Sequence, residues 1–363
     1  MDYFYDLTII LPTYNEAKNI RVLCKRLDIA LEGLKYEVLI ADDNSPDQTW
    51  AHAHALAKQQ GNVRVLRRFI RRGLSAACID AAQAAMGRRI VVMDADLQHD
   101  ETIIPALLEE LDKGADIALG SRFAEGGSTD GLSSPLRQRL SSFGVKATAT
   151  ILGKSVADPL TGFFAINTEK FQSLVPKLSD SGFKILFDIL FVDRALKVSE
   201  VGFKFAKRIE GESKLDSATI WQFLTYLGQK ITFDILPARL ISFGVVGLSG
   251  VAVHFAALLA FRGFITDEPF WQGQLFATLV ALMTNFALNN KLTFTDRKLS
   301  GRPYWIGLGL FAVASSVGIL GNISVSSYLE NVGTQGFALS AIAGITVDTV
   351  WKYAVAQRII WRR

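Results

Sequence analysis

The charge of this chain is distributed unevenly along its length, and this feature restricts its architecture more than any other. Residues 1–238 have the charged composition of an ordinary α/β protein, whereas the chain from Arg239 onward consists of long, nearly uncharged runs. A helix of about 20 apolar residues crosses a hydrocarbon layer about 30 Å thick, and each run is long enough. The sequence therefore predicts a first domain followed by a membrane domain of four α-helices. The predicted spans are residues 239–261, 270–289, 304–328 and 336–356.

Lysine and arginine residues cluster on one side of this predicted membrane domain. Lys291, Arg297, Lys298 and Arg302 lie between the second and third spans, and Arg358, Arg362 and Arg363 follow the fourth. The segment after the third span has no lysine or arginine. The positive-inside rule therefore places both ends of the membrane domain in the cytoplasm. Residues 1–6 also lack the positive charge of a signal peptide, so we expect the first domain to be cytoplasmic, at the plasma membrane in a prokaryote.

The segment 218–237 connects the two parts. Its apolar residues recur at helical spacing, and Trp221, Tyr226 and Lys230 lie beside them. This pattern predicts an amphipathic helix at the membrane surface, with a core helix of the first domain as the alternative. The predicted domains are therefore residues 1–217, 218–237 and 238–363.

Short apolar runs alternate with helical patterns through the first domain. The five predicted strands are Leu7–Leu11, Glu37–Ala41, Val63–Leu66, Arg89–Met93 and Ile117–Gly120. Strands that alternate with helices predict a mostly parallel, Rossmann-like sheet covered on both faces. Ligands bind such sheets beyond the carboxyl ends of the strands.

Polar and acidic residues follow four of these strands. The motifs are Pro12-Thr-Tyr-Asn-Glu16, Asp42-Asp-Asn-Ser-Pro-Asp47, Asp94-Ala-Asp-Leu-Gln-His99 and Ser121-Arg122. Carboxylates brought to one edge repel one another, and a divalent cation with oxygen ligands removes that cost. Each motif has a plain alternative when taken alone, since Asp42–Asp47 is also typical of a turn that caps a helix. Together, at the ends of several strands, they favour a metal site that binds a phosphorylated ligand.

These motifs resemble those of the family 2 glycosyltransferases, which have the GT-A fold. The further stretches Asp158–Phe164, Gly182–Leu186 and Gly211–Lys214 belong to the same pattern. The likeness covers roughly residues 6–218 and is strongest to the dolichol- and polyprenol-phosphate mannose synthases. It implies an enzyme that transfers mannose from GDP-mannose to dolichyl or polyprenyl phosphate with inversion, with Mg²⁺ or Mn²⁺ as cofactor, for later glycosylation.

The resemblance also implies roles for individual residues. Those assigned to the nucleotide sugar are Pro12, Tyr14, Glu16, Ala41, Asp43, Asp94, Ala95, Asp96, Lys184, Arg208 and Lys214. The implied metal ligands are Asp94, Asp96 and Gln98. The residues implied to bind the acceptor phosphate are Arg122, Arg137 and Ser141. The implied catalytic residues are Asp96, Arg122 and Arg137. A solvated surface charge is the alternative for Lys184, and a basic surface facing lipid headgroups is the alternative for Arg137.

An enzyme whose acceptor is a lipid phosphate needs arginine residues to bind that phosphate more than it needs a general base to remove a proton. The second pKa of a phosphate monoester lies near about 6, so its oxygen is already anionic at neutral pH. The difficulty is holding a dianion beside a negatively charged donor, and arginine binds phosphate with a rigid fork of donors. We therefore expect Arg122 to affect acceptor use more than donor binding.

Other functions remain open at this point. The same fold could transfer glucose or another hexose from a UDP-sugar, or the chain could bind or translocate a lipid-linked sugar without transferring it. A processive polysaccharide synthase would need a Gln-X-X-Arg-Trp motif, which the sequence lacks. A nucleic-acid partner is not expected, because no basic block is interleaved with aromatic residues.

The second part of the chain resembles the GtrA-like four-helix membrane proteins, and it contains a weak internal repeat. Asn290-Lys-Leu-Thr-Phe294 recurs as Gln357-Arg-Ile-Ile-Trp361, 67 positions further on, which predicts two equivalent hairpins. The resemblance implies a role in presenting or moving the lipid-linked sugar, whereas a simple anchor is the plainer alternative. Asp348 and Lys352 are spaced to pair on one helix face. Cys24 and Cys78 have no metal-ligand spacing, and we expect both to be buried thiols.

Overall fold

The structure is a computed structural model, and it describes residues 3–70, 73–128, 135–179, 184–206, 217–264, 270–331 and 337–362. The chain divides into two compact units, Met1–Ser213 and Lys214–Arg363. The first unit is a mixed α/β domain and the second is helical.

Seven strands form the sheet of the first unit. They are β1 (Tyr5–Thr13), β2 (Tyr36–Asp42), β3 (Val63–Arg67), β4 (Gly87–Val92), β5 (Ile117–Ser121), β6 (Phe164–Asn167) and β7 (Val198–Gly202). Their order across the sheet is β3-β2-β1-β4-β6-β5-β7, and all pairs are parallel except those that β6 makes with β4 and β5. The five predicted strands are confirmed. The sequence analysis missed β6 and β7, which are short and carry polar residues among the apolar ones.

Helices cover the sheet. They are α1 (Ile20–Ala30), α2 (Thr49–Gln59), α3 (Leu74–Ala84), α4 (Ile104–Asp112), α5 (Pro135–Leu152), α6 (Thr168–Leu174) and α7 (Ile185–Val192). β2 is buried along its whole length, which explains its apolar run Val38–Ala41, because a parallel strand is covered on both faces. Leu23 and Leu27 of α1 and Leu107 of α4 belong to one buried cluster with Ile9 and Val91 of the sheet. This core fixes the strand ends that carry the polar motifs.

The second unit consists of helices α8 (Ser217–Ile231), α9 (Ala238–Phe264), α10 (Phe270–Leu288), α11 (Arg302–Asn331) and α12 (Phe337–Val355). α9 packs on α10, and α11 packs on α12. Among the described residues, α9 is the one helix long and apolar enough to cross a membrane by length and composition, with a mean hydropathy of 2.0. The four predicted spans fall on α9 to α12, and a count of four membrane crossings stays a prediction.

The segment predicted to lie at the membrane surface forms α8. Trp221 Nε1 donates to Ser242 Oγ of α9 at 2.8 Å, and Gln222 Nε2 donates to Thr295 Oγ1 at 2.8 Å. Tyr226 and Leu227 are buried on this contact, whereas Leu224 and Ile231 are exposed. α8 is therefore packed within the second unit.

The internal repeat is confirmed by backbone geometry. A π-helical turn, Asn289–Thr293, directly follows α10, and a second one, Ala356–Ile360, directly follows α12. The N–H of Phe294 donates to the Asn289 carbonyl at 2.9 Å, and the N–H of Trp361 donates to the Ala356 carbonyl at 2.8 Å. Each helix and its π turn thus recur after 67 residues.

Two pairs of polar side chains lie inside the second unit, one within α12 and one between α9 and α10. Lys352 Nζ lies 2.7 Å from Asp348 Oδ2, as the spacing predicted. His254 Nε2 lies 2.9 Å from Gln274 Oε1. A β-carbon added to Gly318 would clash with Asp348 Oδ1, so glycine at this position of α11 leaves room for the carboxylate.

Candidate active site at the carboxyl edge of the sheet

The predicted motifs lie at one edge of the sheet. β1 runs parallel to β2 and to β4, with Thr13 level with Asp42 and Ile10 level with Val92. The three acidic or polar loops that follow these strands are therefore neighbours. Ser121 ends β5, so Arg122 leaves the sheet at the same edge.

Two acids of the second motif hold the loops together. Asp42 accepts from Thr13 Oγ1 at 3.0 Å and from Ser45 Oγ at 2.6 Å. Asp47 accepts from Thr49 N at 3.0 Å and from Ala17 N at 3.1 Å. Asp42 thus forms the turn with Ser45, whereas Asp47 binds the first N–H of α2 and attaches the β1 loop to the β2 loop.

Asp43, the acid of this motif assigned to the nucleoside, is bound by groups from the β3 loop. Its Oδ1 is paired with Arg68 Nη1, and its Oδ2 accepts from Gly73 N at 2.6 Å. Arg68 Nε also donates to Asp80 Oδ2 at 2.9 Å. Burial raises the pKa of Asp43, and the Gly73 N–H and the Arg68 guanidinium oppose that shift. Sequence reasoning missed Arg68, although an arginine close behind the predicted strand Val63–Leu66 was a usable signal.

The segment 94–99 turns sharply after β4. Leu97 has φ 64°, a left-handed conformation that is unusual for a branched side chain. Asp96 is buried and its Oδ1 accepts from Gln98 N at 3.2 Å, whereas the Asp94 side chain is 35% exposed. Gln98 Nε2 donates to the Ala206 carbonyl at 2.9 Å, which fixes the orientation of its amide.

His99 stabilises this turn through a hydrogen bond to the backbone of Asp94. The sequence analysis gave His99 no role. Its Nδ1 accepts from Asp94 N at 3.1 Å, so its proton is on Nε2. Its ring packs on Phe163, Phe203 and Phe205 at centroid distances of 5.2, 5.5 and 5.9 Å. Burial lowers the pKa of His99, against the opposing effect of Asp94 and Asp96. A neutral imidazole thus positions the Asp94 backbone.

The oxygen donors of Asp94, Asp96 and Gln98 suit a hard divalent cation. Among the described residues no group of three histidine, cysteine or acidic side chains is arranged to hold a metal by itself. A Mg²⁺-type site needs only one or two carboxylates when substrate phosphates complete the shell. A β-carbon on Gly162 would lie 2.9 Å from Asp94 Oδ2, so glycine at 162 keeps the space beside this carboxylate open. The donor set and its open side therefore fit the predicted metal.

Arg122 is fixed by a buried carboxylate. Its Nε donates to Asp158 Oδ2 at 2.7 Å and its Nη2 donates to Asp158 Oδ1 at 2.9 Å. Asp158 is fully buried, and the backbone N–H groups of Ala157 and Asp158 donate to Glu200 at 2.9 and 3.1 Å. Two of the five guanidinium N–H groups are thereby committed within the protein. Sequence reasoning included Asp158 in a motif but did not find this pairing.

The remaining predicted residues are placed as follows. Pro12 is half-buried within β1, Ala41 is buried within β2, Ala95 is buried, and Tyr14 is exposed. Glu16 Oε2 accepts from Asn19 Nδ2 at 2.7 Å, and Lys184 is half-buried directly before α7. Arg137 and Ser141 lie on α5, and their side chains are outside the described part of the chain. Arg208 and Lys214 are also outside the described residues.

Two family matches agree with this arrangement. Residues 8–175 match the family described as glycosyl transferase family 2. Residues 242–361 match the family described as GtrA/DPMS, transmembrane domain. The mixed sheet with its acidic carboxyl edge and the helical second unit thus define a glycosyltransferase with a membrane domain. Both predicted resemblances are confirmed.

Relatives specify the class further. A dolichol-phosphate mannosyltransferase from Pyrococcus furiosus is 34% identical over 358 residues, covering 98% of this chain and 99% of that protein. One from Mycosarcoma maydis is 36% identical, over 62% of this chain and 79% of that protein. The chain therefore belongs to the dolichol-phosphate mannosyltransferase family.

Several solved structures are similar to part of this chain. Glucosyl-3-phosphoglycerate synthase from Mycobacterium tuberculosis, in complex with Mn²⁺, uridine diphosphate and phosphoglyceric acid, is 21% identical with a TM-score of 0.48. The similarity covers 62% of this chain and 78% of that chain.

Proposed function

We propose that this enzyme transfers mannose from GDP-mannose to dolichyl or polyprenyl phosphate, with inversion at the anomeric carbon. The observation that supports this most strongly is the likeness to the Pyrococcus furiosus dolichol-phosphate mannosyltransferase, which extends over 98% of this chain and 99% of the relative. The carboxyl edge of the sheet supplies both kinds of group that the reaction needs. These are acids for a metal and its diphosphate, and an arginine for a second phosphate.

On the donor side, Asp94, Asp96 and Gln98 would hold Mg²⁺ or Mn²⁺. The cation would neutralise the negative charge that develops on the diphosphate as it leaves. Residues at the carboxyl ends of β1 and β2 and in the loops after β1, β2 and β4 would bind the nucleotide, namely Pro12, Tyr14, Glu16, Ala41, Asp43 and Ala95. Lys184, Arg208 and Lys214 are proposed to contact the diphosphate.

On the acceptor side, an anionic phosphate oxygen attacks the anomeric carbon. The new oxygen–carbon bond forms as the bond from that carbon to the GDP oxygen breaks, and GDP leaves with the electron pair. No general base is needed, because the acceptor oxygen carries no proton near neutral pH. Arg122, held in place by Asp158, is proposed to bind the acceptor phosphate together with Arg137 and Ser141.

The proposed topology puts the catalytic domain in the cytoplasm, where nucleotide sugars are found. It rests on the basic residues that follow α10 and α12, which the positive-inside rule assigns to the cytoplasmic side. In a prokaryotic host the membrane is the plasma membrane. Fusion of a reporter to the C-terminus, assayed for cytoplasmic or external activity, tests this assignment.

The first test of the activity is transfer by the full-length protein in detergent micelles. GDP-mannose, UDP-glucose and UDP-N-acetylglucosamine are offered separately with a polyprenyl phosphate and Mn²⁺ or Mg²⁺, and product stereochemistry is read by NMR. The matched variants are Asp96→Asn and Asp6→Asn, since Asp6 is an exposed acid at the amino end of β1.

We expect transfer from GDP-mannose that is lost in Asp96→Asn and kept in Asp6→Asn, with an inverted product. Transfer from a UDP-sugar alone would contradict the assigned sugar. Retention of configuration would contradict the direct attack. Nucleotide binding without transfer from any donor would favour the lipid-linked sugar binding alternative.

A further inference from the structure

The two π-helical turns carry equivalent cations on their outer sides. The first and last residues of each turn are buried, Asn289 and Thr293 in one and Ala356 and Ile360 in the other. The third residue of each turn is basic and exposed, Lys291 in the first turn and Arg358 in the second. The repeat therefore presents one cation at each of two matching positions.

The two turns are adjacent at one end of the helical unit. Phe294 and Trp361, the residues that directly follow the turns, stack with ring centroids 4.4 Å apart and planes 5° apart. Arg297 Nη1 donates to the Trp361 carbonyl at 3.0 Å, which ties the segment after the first turn to the end of the second. The matching cations consequently belong to one continuous surface.

This surface, which we name the cationic collar, has more positive than negative charge. Its exposed basic residues are Lys291, Lys298, Arg302, Arg358 and Arg362. The two described acids nearest in the chain are already paired. Asp296 lies 2.8 Å from Arg239 Nη2 and 3.3 Å from Arg297 Nε, and Asp348 lies 2.7 Å from Lys352 Nζ. Within the described part of the chain, none of the five collar cations is paired with an acid, so an external anion can bind them.

Exposed apolar side chains lie among the collar cations. Ile359, next to Arg358, is 53% exposed, and Trp305, in the first turn of α11 with Arg302, is 65% exposed. A surface that faces only water gains nothing from an exposed isoleucine and an exposed tryptophan beside two of its cations. A membrane interface favours this combination, because the apolar group meets acyl chains while the cation meets headgroups.

We propose that the cationic collar binds the phosphate groups of anionic phospholipids, with one headgroup at Lys291 and an equivalent one at Arg358. Each π turn exposes its cation to the surroundings and buries the aromatic ring that follows it, Phe294 or Trp361. The backbone of the turn therefore determines the position of each binding site. This inference does not depend on which sugar the enzyme transfers.

The test is lipid binding by the full-length protein in nanodiscs of phosphatidylcholine, with and without phosphatidylglycerol. The variants are the double substitution Lys291→Gln/Arg358→Gln and the matched control Arg21→Gln/Lys58→Gln, which removes two exposed cations from α1 and α2. Native mass spectrometry counts the phosphatidylglycerol molecules retained, and thermal unfolding measures the stabilisation that this lipid gives.

We expect the double variant to lose roughly thirtyfold in phosphatidylglycerol affinity, since each basic residue near an anionic leaflet contributes about a factor of five. Its Tm should rise less than that of wild type when phosphatidylglycerol is added, and the control should match wild type. Inorganic phosphate without lipid should leave the Tm unchanged.

Three results would overturn the proposal. Equal phosphatidylglycerol retention by wild type and the double variant would show that the collar does not bind this lipid. A Tm loss of the same size in both bilayers would show that Lys291 and Arg358 only stabilise helix carboxyl ends. Displacement of phosphatidylglycerol by an equimolar short polyprenyl phosphate would assign the collar to the acceptor instead.

Discussion

Arg122 and Asp158 form a two-pronged ion pair at the carboxyl edge of the sheet. Nε and Nη2 of the arginine meet the two carboxylate oxygens at 2.7 and 2.9 Å, and Asp158 is fully buried. The pair joins the end of β5 to the segment before β6, and it fixes the guanidinium before any ligand arrives. The acceptor-binding role proposed for Arg122 therefore depends on Asp158 as a positioning residue.

We predict that Asp158→Asn reduces the use of the lipid phosphate more than the use of the nucleotide sugar. An amide replaces the carboxylate that holds the guanidinium, so Arg122 becomes free to adopt other rotamers. We expect kcat/KM for the acceptor to fall at least tenfold while KM for the donor changes little, measured by steady-state kinetics with each substrate varied.

Asp193→Asn is the matched control for this prediction. Asp193 pairs with Lys170 at 2.9 Å in a partly exposed position, and ion pairs near the surface contribute about 1 kcal/mol or less. Loss of the partner of a buried charge costs about 3–5 kcal/mol, so thermal unfolding must show that Asp158→Asn is still folded at the assay temperature. An equal rise in donor KM would place Arg122 in the donor site instead.

We predict that Gly162→Ala impairs catalysis by moving the Asp94 carboxylate. The added β-carbon would lie 2.9 Å from Asp94 Oδ2 and 3.1 Å from Oδ1, so the carboxylate must shift or rotate. Because an error of 1 Å at a reacting centre can cost about a hundredfold in rate, we expect a fall in kcat of tenfold or more. The Mn²⁺ concentration needed for half-maximal activity should rise as well.

The comparison variant is Gly61→Ala, whose β-carbon would meet nothing within 4 Å. We expect it to keep wild-type kinetics and metal dependence. Unchanged metal dependence in Gly162→Ala, with the enzyme folded, would argue against Asp94 as a metal ligand.

We predict that both cysteines are unreactive in the native protein. Cys24 and Cys78 are 2% and 0% exposed, as the sequence analysis expected. Burial, with a smaller contribution from Asp28, raises the pKa of Cys24 to about 11, and burial also raises the pKa of Cys78. Only the thiolate is nucleophilic, so at pH 8 both groups stay in the unreactive thiol form.

Titration with a disulfide reagent at pH 8 measures this directly. We expect no thiol to react in the folded enzyme and two thiols to react after unfolding in guanidinium chloride. Fast reaction of either thiol without denaturant would contradict the buried positions.

We predict that Phe294→Ala destabilises the helical unit. Phe294 is fully buried against Trp361, and replacing a buried phenylalanine by alanine costs about 3–5 kcal/mol. Phe264→Ala is the control, since Phe264 is 90% exposed at the end of α9. In detergent we expect the Tm to fall by several degrees for Phe294→Ala and to change little for Phe264→Ala. Equal Tm values would mean that the stacked pair does not hold the two π turns together.

The sequence predicted the architecture well because the relevant signals are local. The buried strand Tyr36–Asp42 contains the apolar run Val38–Ala41, and the helix Ala238–Phe264 is long and almost uncharged, so each can be identified from neighbouring residues alone. The active edge could also be located in advance, since parallel strands bring the residues after them to the same edge. The repeat that ends at Phe294 and Trp361 was visible as similar residues at a constant interval.

The tertiary structure decided how the residues at that edge are used. Asp42 and Asp43 are adjacent in the chain, yet Asp42 accepts from Thr13 and Ser45 while Asp43 meets Arg68 and Gly73. Sequence could not assign these different roles, because each depends on a partner that folding brings from a separate strand or loop. Arg122 and Asp158 are joined in the same way, although α5 lies between them in the chain. The local pattern of apolar residues therefore determined the helices, the strands and the edge of the sheet that carries the site. Contacts between side chains distant in the chain determined which charged groups remain available for a ligand.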